Sequence, residues 1–171
     1  MSYKVIFLGD SGVGKTSIIN RKLYNYYNHT INTTIGASFA SCMINDKMLN
    51  IWDTAGQERF NSLCPLYCRN ADVVVLCFTD HLNIEKWLKI ANVPQPCNLI
   101  LVKTKMDTHN SSVVDTFDGH PLYFVSSRTN INIDKLFKGI TNSVTDTPIQ
   151  LKHGPGVPLV NSRNYECCGL G

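Results

Sequence analysis

At 171 residues the chain fits a single domain with a full hydrophobic core. Hydrophobic residues at 43% and charged residues at 17% exclude a disordered chain. A net charge of +3, spread along the sequence, is too mild to argue for a nucleic-acid partner by charge alone.

The first apolar run, residues 5–8, is too short for a signal-peptide core and has no small-residue cleavage site after it, so the chain is expected to start in the cytosol. The run instead reads as a strand buried on both faces. It leads into Gly9-Asp10-Ser11-Gly12-Val13-Gly14-Lys15-Thr16, which fits G-x-x-x-x-G-K-[ST]. Glycines let the backbone curl so that successive N–H groups face a phosphate, the Lys reaches the outer phosphates, and the Thr hydroxyl binds Mg²⁺. A helical stripe follows at Ile18, Ile19 and Leu23, completing the strand–loop–helix context the motif requires.

Next come an apolar run at 48–51 and Trp52-Asp53-Thr54-Ala55-Gly56-Gln57-Glu58. An acid at a strand end can hold Mg²⁺ through water, Gly56 can offer its N–H to a γ-phosphate, and Gln57 can orient an attacking water. The run 73–78 is the longest apolar one, at six residues, far below the ~20 of a membrane span. Ile84, Trp87, Leu88 and Ala91 have helical spacing; 99–102 and 122–125 read as further strands. Ile133, Leu136, Phe137 and Ile140 form a last helix, extended by Val144, with Asn132 as N-cap and Pro148 closing it. Strand–helix alternation predicts an α/β domain with a mostly parallel central sheet and helices on both faces.

The domain is expected to span 1–147. Residues 148–171 carry three prolines and four glycines without apolar periodicity and read as a flexible tail. Seven cysteines, an odd number without framework or Cys-x-x-Cys spacing, are expected as thiols. Cys64 and Cys68 have no partner pair at zinc-site spacing and are expected to pack.

Together the loop at 9–16 and Asp53-Thr54-Ala55-Gly56-Gln57 make residues 4–144 resemble a small GTPase of the Ras superfamily, in its Rab branch. Blocks at 35–39, 55–60 and 67–71 look like Rab signatures. The resemblance implies a P-loop small-GTPase fold, a Mg²⁺-dependent GTP/GDP switch in vesicle trafficking, and slow GTP hydrolysis until an activating protein assists. It implies nucleotide contacts from Ser11, Gly12, Val13, Gly14, Lys15, Thr16, Ser17 and Gly56. Thr34, nineteen residues after Lys15, falls on the first switch Thr that senses the γ-phosphate and Mg²⁺; Tyr27, twelve after Lys15, falls on the aromatic beside the guanine. Mg²⁺ would be held by Thr16, Thr34 and Asp53, and Gln57 would be catalytic. Phe39, Trp52 and Tyr67 match the aromatic triad that reads effectors and are expected to form an exposed patch.

The guanine motifs depart from the family. Asn-Lys-x-Asp is here Thr104-Lys105-Met106-Asp107, and Ser-Ala-Lys is Ser126-Ser127-Arg128. Asp107 can still accept from the guanine N1–H and N2–H₂ edge, whereas Thr104 loses an amide donor to N7, so the expectation is retained specificity with weakened affinity. Only 18 residues separate Asp107 from Ser126, which leaves room for a short fourth helix, capped by Ser112 with Asp115 at its third position. The stretch from Asp80 to Thr104 is also trimmed relative to the Rab pattern.

At the end, Cys167-Cys168-Gly169-Leu170-Gly171 resembles a double-prenylation site; it also parses as a poor C-a-a-X box. Implied partners are effectors, exchange factors (GEF), GTPase activators (GAP) and GDP-dissociation-inhibitor or escort proteins. A monomeric switch domain is implied, lipid-anchored on the cytoplasmic face of endomembranes and cycling with the cytosol. The rival reading is a nucleotide-binding but non-hydrolysing scaffold. A P-loop small-molecule kinase fits less well, since no segment resembles a substrate lid.

Overall fold

The computed structural model describes residues 1–30, 33–57, 62–80, 84–92, 97–107 and 115–144. Its elements in chain order are β1 (Ser2–Leu8), α1 (Lys15–Tyr24), β2 (Ala37–Ile44), β3 (Lys47–Thr54), α2 (Cys64–Cys68), β4 (Val73–Phe78), α3 (Ile84–Ala91), β5 (Asn98–Lys103), β6 (Asp115–Phe117), β7 (His120–Phe124) and α4 (Ile133–Ser143).

The described strands form a seven-stranded sheet in the order β2-β3-β1-β4-β5-β7-β6. β1 runs parallel to β3 and β4, and β5 parallel to β4 and β7, while β2 and β6 lie antiparallel at the two edges. The predicted mostly parallel sheet is the observed one. Its continuous apolar runs follow from burial on both faces: Val5 and Phe7 pack with Ile18, Ile133, Phe137 and Ile140 on one side. Ile6 and Leu8 pack with Cys64, Cys68, Ile84 and Trp87 on the other. Alternation along β1 thus sorts one residue to each helix layer. The Phe7 and Phe137 rings meet at 6.1 Å.

Chain order places β1 between two strands reached by crossovers in opposite directions. A crevice at the carboxyl ends of the strands opens at such a reversal, and residues 9–14 run from β1 into it.

Three local expectations need correction. Asp115 opens a strand, β6, rather than sitting in the first turn of a fourth helix; pairing of Asp115 with Leu122 and Thr116 with Pro121 claims this backbone for the sheet. Ser112 lies outside the described residues. Asn132 takes the expected N-cap position of α4, at φ 57, but its side chain makes no cap bond and is turned so that its Nδ2 donates to the Phe124 carbonyl at 2.9 Å. The helix ends at Ser143, with Val144 already extended, and Pro148 is outside the described residues. Cys64 and Cys68 fill the core under α3, and among the described residues no cluster of three or more His, Cys, Asp or Glu could hold a metal. Burial pushes the Cys68 thiol up to about 12, so it packs rather than reacts at neutral pH.

Candidate active site

The phosphate loop is built by close approach. Gly9 sits at φ 134, and any side chain there would collide with the Cys77 carbonyl. Gly56 presses against the backbone of Gly9, Asp10 and Ser11, with no room for a Cβ. The α1 helix starts at Lys15 with no side-chain cap and no acidic residue in its first turn. Its first amides are therefore available to an anion, with the helix dipole behind them. Lys15 is 5% exposed, and its ammonium donates to the carbonyls of Gly9 at 2.8 Å and Asp10 at 2.9 Å. Burial pulls its pKa below the ordinary lysine value.

Beside it the Thr16 hydroxyl donates to Asp53 Oδ2 at 2.6 Å and lies 3.0 Å from the Thr34 hydroxyl. Burial raises the Asp53 carboxyl, against the Thr16 hydrogen bond and the Lys15 charge. Asp53 Oδ1 is buried without a hydrogen-bond partner among the described residues. Two hydroxyls and a carboxylate with a spare buried oxygen are hard oxygen donors, the set that suits Mg²⁺. The Ala55 N–H donates to the Gly36 carbonyl at 2.7 Å, tying the segment after Thr34 to the one carrying Gly56 and Gln57.

At the other end, the Thr104 hydroxyl, 4% exposed, donates to the Val13 carbonyl at 2.6 Å. The lost amide is thus replaced by a tie between the phosphate loop and the Thr104–Asp107 loop. Ser126 donates to Asp107 Oδ1, and Arg128 Nη1 lies 3.9 Å from Asp107 Oδ2. Lys105 is exposed, at φ 60. The Tyr27 ring meets His29 edge-on at 5.0 Å.

Residues 11–17, Tyr27, Thr34, Gly56, Thr104, Lys105, Asp107, Ser127 and Arg128 line one cavity of about 360 Å³. Among the predicted contacts Ser126 does not line it; it stands behind Asp107, fully buried. Asp53 and Gln57 are likewise outside the lining; Asp53 is reached through Thr16, and Gln57 is half-buried beside Gly56. Asn28, His29, Thr33 and Thr54 line the cavity and were not singled out from the sequence. The first three fall between Tyr27 and Thr34, so that spacing held the signal. Arg21 was also missed: one arginine in a helical stripe carries no mark of its partners.

Away from the cavity, Phe39 and Trp52 pair across β2 and β3 with rings 5.4 Å apart, and Trp52 meets Tyr67 at 6.1 Å. Phe39 is 47% exposed, whereas Trp52 and Tyr67 are half-buried against the core, so the patch is only partly the exposed one expected. Cys167, Cys168 and the segment 58–60 lie outside the described residues.

The fold is that of a P-loop α/β nucleotide-binding domain. A family model described as the Ras of Complex, Roc, domain of DAPkinase matches residues 4–107. Ras-related protein Rab-31 of Mus musculus is 32% identical over 188 aligned residues, covering 96% of each chain. Rab-7a of Dictyostelium discoideum is 33% identical over 91% of this chain and 87% of its own length. The Ypt/Rab-type GTPase YPT7 of Saccharomyces cerevisiae is 35% identical over 82% and 80%. The chain belongs to the Rab family of small GTPases, and its activity is GTP hydrolysis. A non-hydrolysing scaffold finds no support among these relatives.

Proposed function

We propose that the chain is a GTP/GDP switch regulating vesicle trafficking on endomembranes. One observation carries the reading: a single cavity joins the phosphate loop, the hydroxyls of Thr16 and Thr34, and the Asp107 carboxylate. Amides of residues 11–17 and the Lys15 ammonium hold the phosphates. Thr16, Thr34 and Asp53 would hold Mg²⁺, which when bound neutralises charge on the β- and γ-phosphates. The Gly56 N–H faces the γ-phosphate, and Gln57 orients the attacking water. Asp107 reads the guanine edge, Lys105 lays its aliphatic stem along the base, and Tyr27 borders it.

Thr34 and Gly56 order their segments on the γ-phosphate, and both relax when it leaves. The bond from Ala55 to Gly36 couples the two segments, so that they move as one. Among the described residues lining the cavity the one arginine is Arg128, at the base end. Intrinsic turnover is therefore expected on the order of 10⁻⁴ to 10⁻² s⁻¹, until an activating protein supplies a cation at the phosphate end. Effectors read Phe39, Trp52 and Tyr67; exchange factors and GDP-dissociation inhibitors act on the same switch. No helix of the described residues is long and apolar enough to cross a membrane. Prenyl chains on Cys167 and Cys168 supply the anchor, two being needed where one binds only reversibly.

Denaturing the purified protein and chromatographing what it releases tests the reading: GDP or GTP is expected, with GTP outcompeting ATP in the presence of Mg²⁺. An empty protein without guanine preference overturns it. In the same preparation Gln57→Leu is expected to slow single-turnover hydrolysis at least about tenfold with nucleotide affinity unchanged. An unchanged rate removes Gln57 from its role.

A further inference from the structure

We infer that Arg21 is the positioning residue of the base end, setting the guanine-reading carboxylate through Ser126. The inference rests on the reading above that Asp107 takes the guanine edge. Arg21 stands in the last turn of α1. Its Nε donates to the Ser127 carbonyl at 2.7 Å and its Nη2 to the Arg128 carbonyl at 3.3 Å. Its Nη1 donates to the Asn25 carbonyl at 3.0 Å and to Asn25 Oδ1 at 3.2 Å, and its Cζ lies 5.9 Å from the centre of the Tyr27 ring. All four acceptors are neutral carbonyl oxygens. The guanidinium is used here for its planar fork of donors, with its charge secondary.

What the fork fixes follows from peptide geometry. In a trans peptide the C=O and the N–H point to opposite sides. Holding the Arg128 carbonyl toward α1 therefore turns the Thr129 N–H the other way, where it donates to Ser126 Oγ at 3.2 Å. Ser126 in turn donates to Asp107 Oδ1. A chain of bonds thus runs from Arg21 through one peptide and one hydroxyl to the carboxylate. Holding the Ser127 carbonyl turns the Arg128 N–H away from α1 by the same rule. Arg21 also grips Asn25 at the helix end, where φ is 48, two residues before Tyr27. One side chain thus holds both walls of the base end, more than a hundred residues apart in sequence.

The test measures dissociation constants of the full chain for GDP and for IDP, whose base lacks the 2-amino group that Asp107 would read. Wild type is expected to favour GDP at least about tenfold, a carboxylate hydrogen bond to that group being the difference. Arg21→Ala is expected to weaken GDP about tenfold and IDP only two- to threefold, so the ratio falls. Arg21→Lys keeps the charge but not the fork, and is expected to lower the ratio nearly as far. It also serves should the alanine variant fold poorly, and melting temperatures are compared without nucleotide. Both variants losing GDP and IDP in parallel, or retaining the wild-type ratio, overturns the positioning role alone. A wild-type ratio near one overturns the reading of Asp107, and the inference with it.

Discussion

Lys15→Ala is expected to weaken GDP and GTP binding by on the order of 10²- to 10⁴-fold. The Lys15 ammonium is buried where α1 begins, and its acceptors among the described residues are the Gly9 and Asp10 carbonyls. Two neutral acceptors do not offset the desolvation of a cation, which is why its pKa is lowered. Phosphates entering the cavity would supply an anion in direct contact with the ammonium, so most of the stabilisation is expected only with nucleotide bound. Removing one partner of such a buried pair costs about 3–5 kcal/mol, and each 1.4 kcal/mol is about tenfold in affinity. The empty protein should unfold near the wild-type temperature, since the alanine removes a buried charge along with its two bonds. Titration with a fluorescent guanine nucleotide reads the effect. Affinity within about threefold of wild type would remove Lys15 from the phosphate site, because even one charged hydrogen bond is worth more than that.

The fold was legible where burial is two-sided. Runs such as 73–78 have no alternation to misread, and the stripes at Ile84–Ala91 and Ile133–Ser143 face a single layer each. The edge strands were less legible. Among the described strands Ala37–Ile44 pairs with β3 alone and buries one residue, Cys42, so its sequence ASFASCMI carries little apolar signal. Asp115–Phe117 is a strand because Asp118-Gly119, both at positive φ, turn the chain back into β7, a local hairpin signal that outweighs the pattern of a capped helix. In the site, the residues 11–17 and Thr34 that line the phosphate end of the cavity were found by spacing, since the loop is local. Side chains that reach across the fold were read only in part or missed. Thr104 reads in sequence as a lost donor to the base, but in space it ties its loop to Val13. Arg21 bonds to residues 106 and 107 positions away, and nothing local encodes that.

The same distinction governs the second large effect. Asp107→Asn is expected to reduce GDP affinity about 10²- to 10⁴-fold and to reverse preference toward xanthosine diphosphate, a change of partner rather than a loss of the site. One carboxylate oxygen of Asp107 accepts from Ser126, and the other lies beside Arg128 at the cavity wall. Guanine presents two donors there, N1–H and N2–H₂, which a carboxylate can accept and an amide cannot. Asparagine sets one of its own N–H groups against the guanine amino group, leaving two donors facing each other. Xanthine carries an oxygen where guanine has that amino group, so the amide pairs with it and with N1–H. Competition between GDP and XDP reads the exchange of preference. Unaltered GDP preference would show that the base is recognised elsewhere, by backbone groups of Ser127 and Arg128 alone.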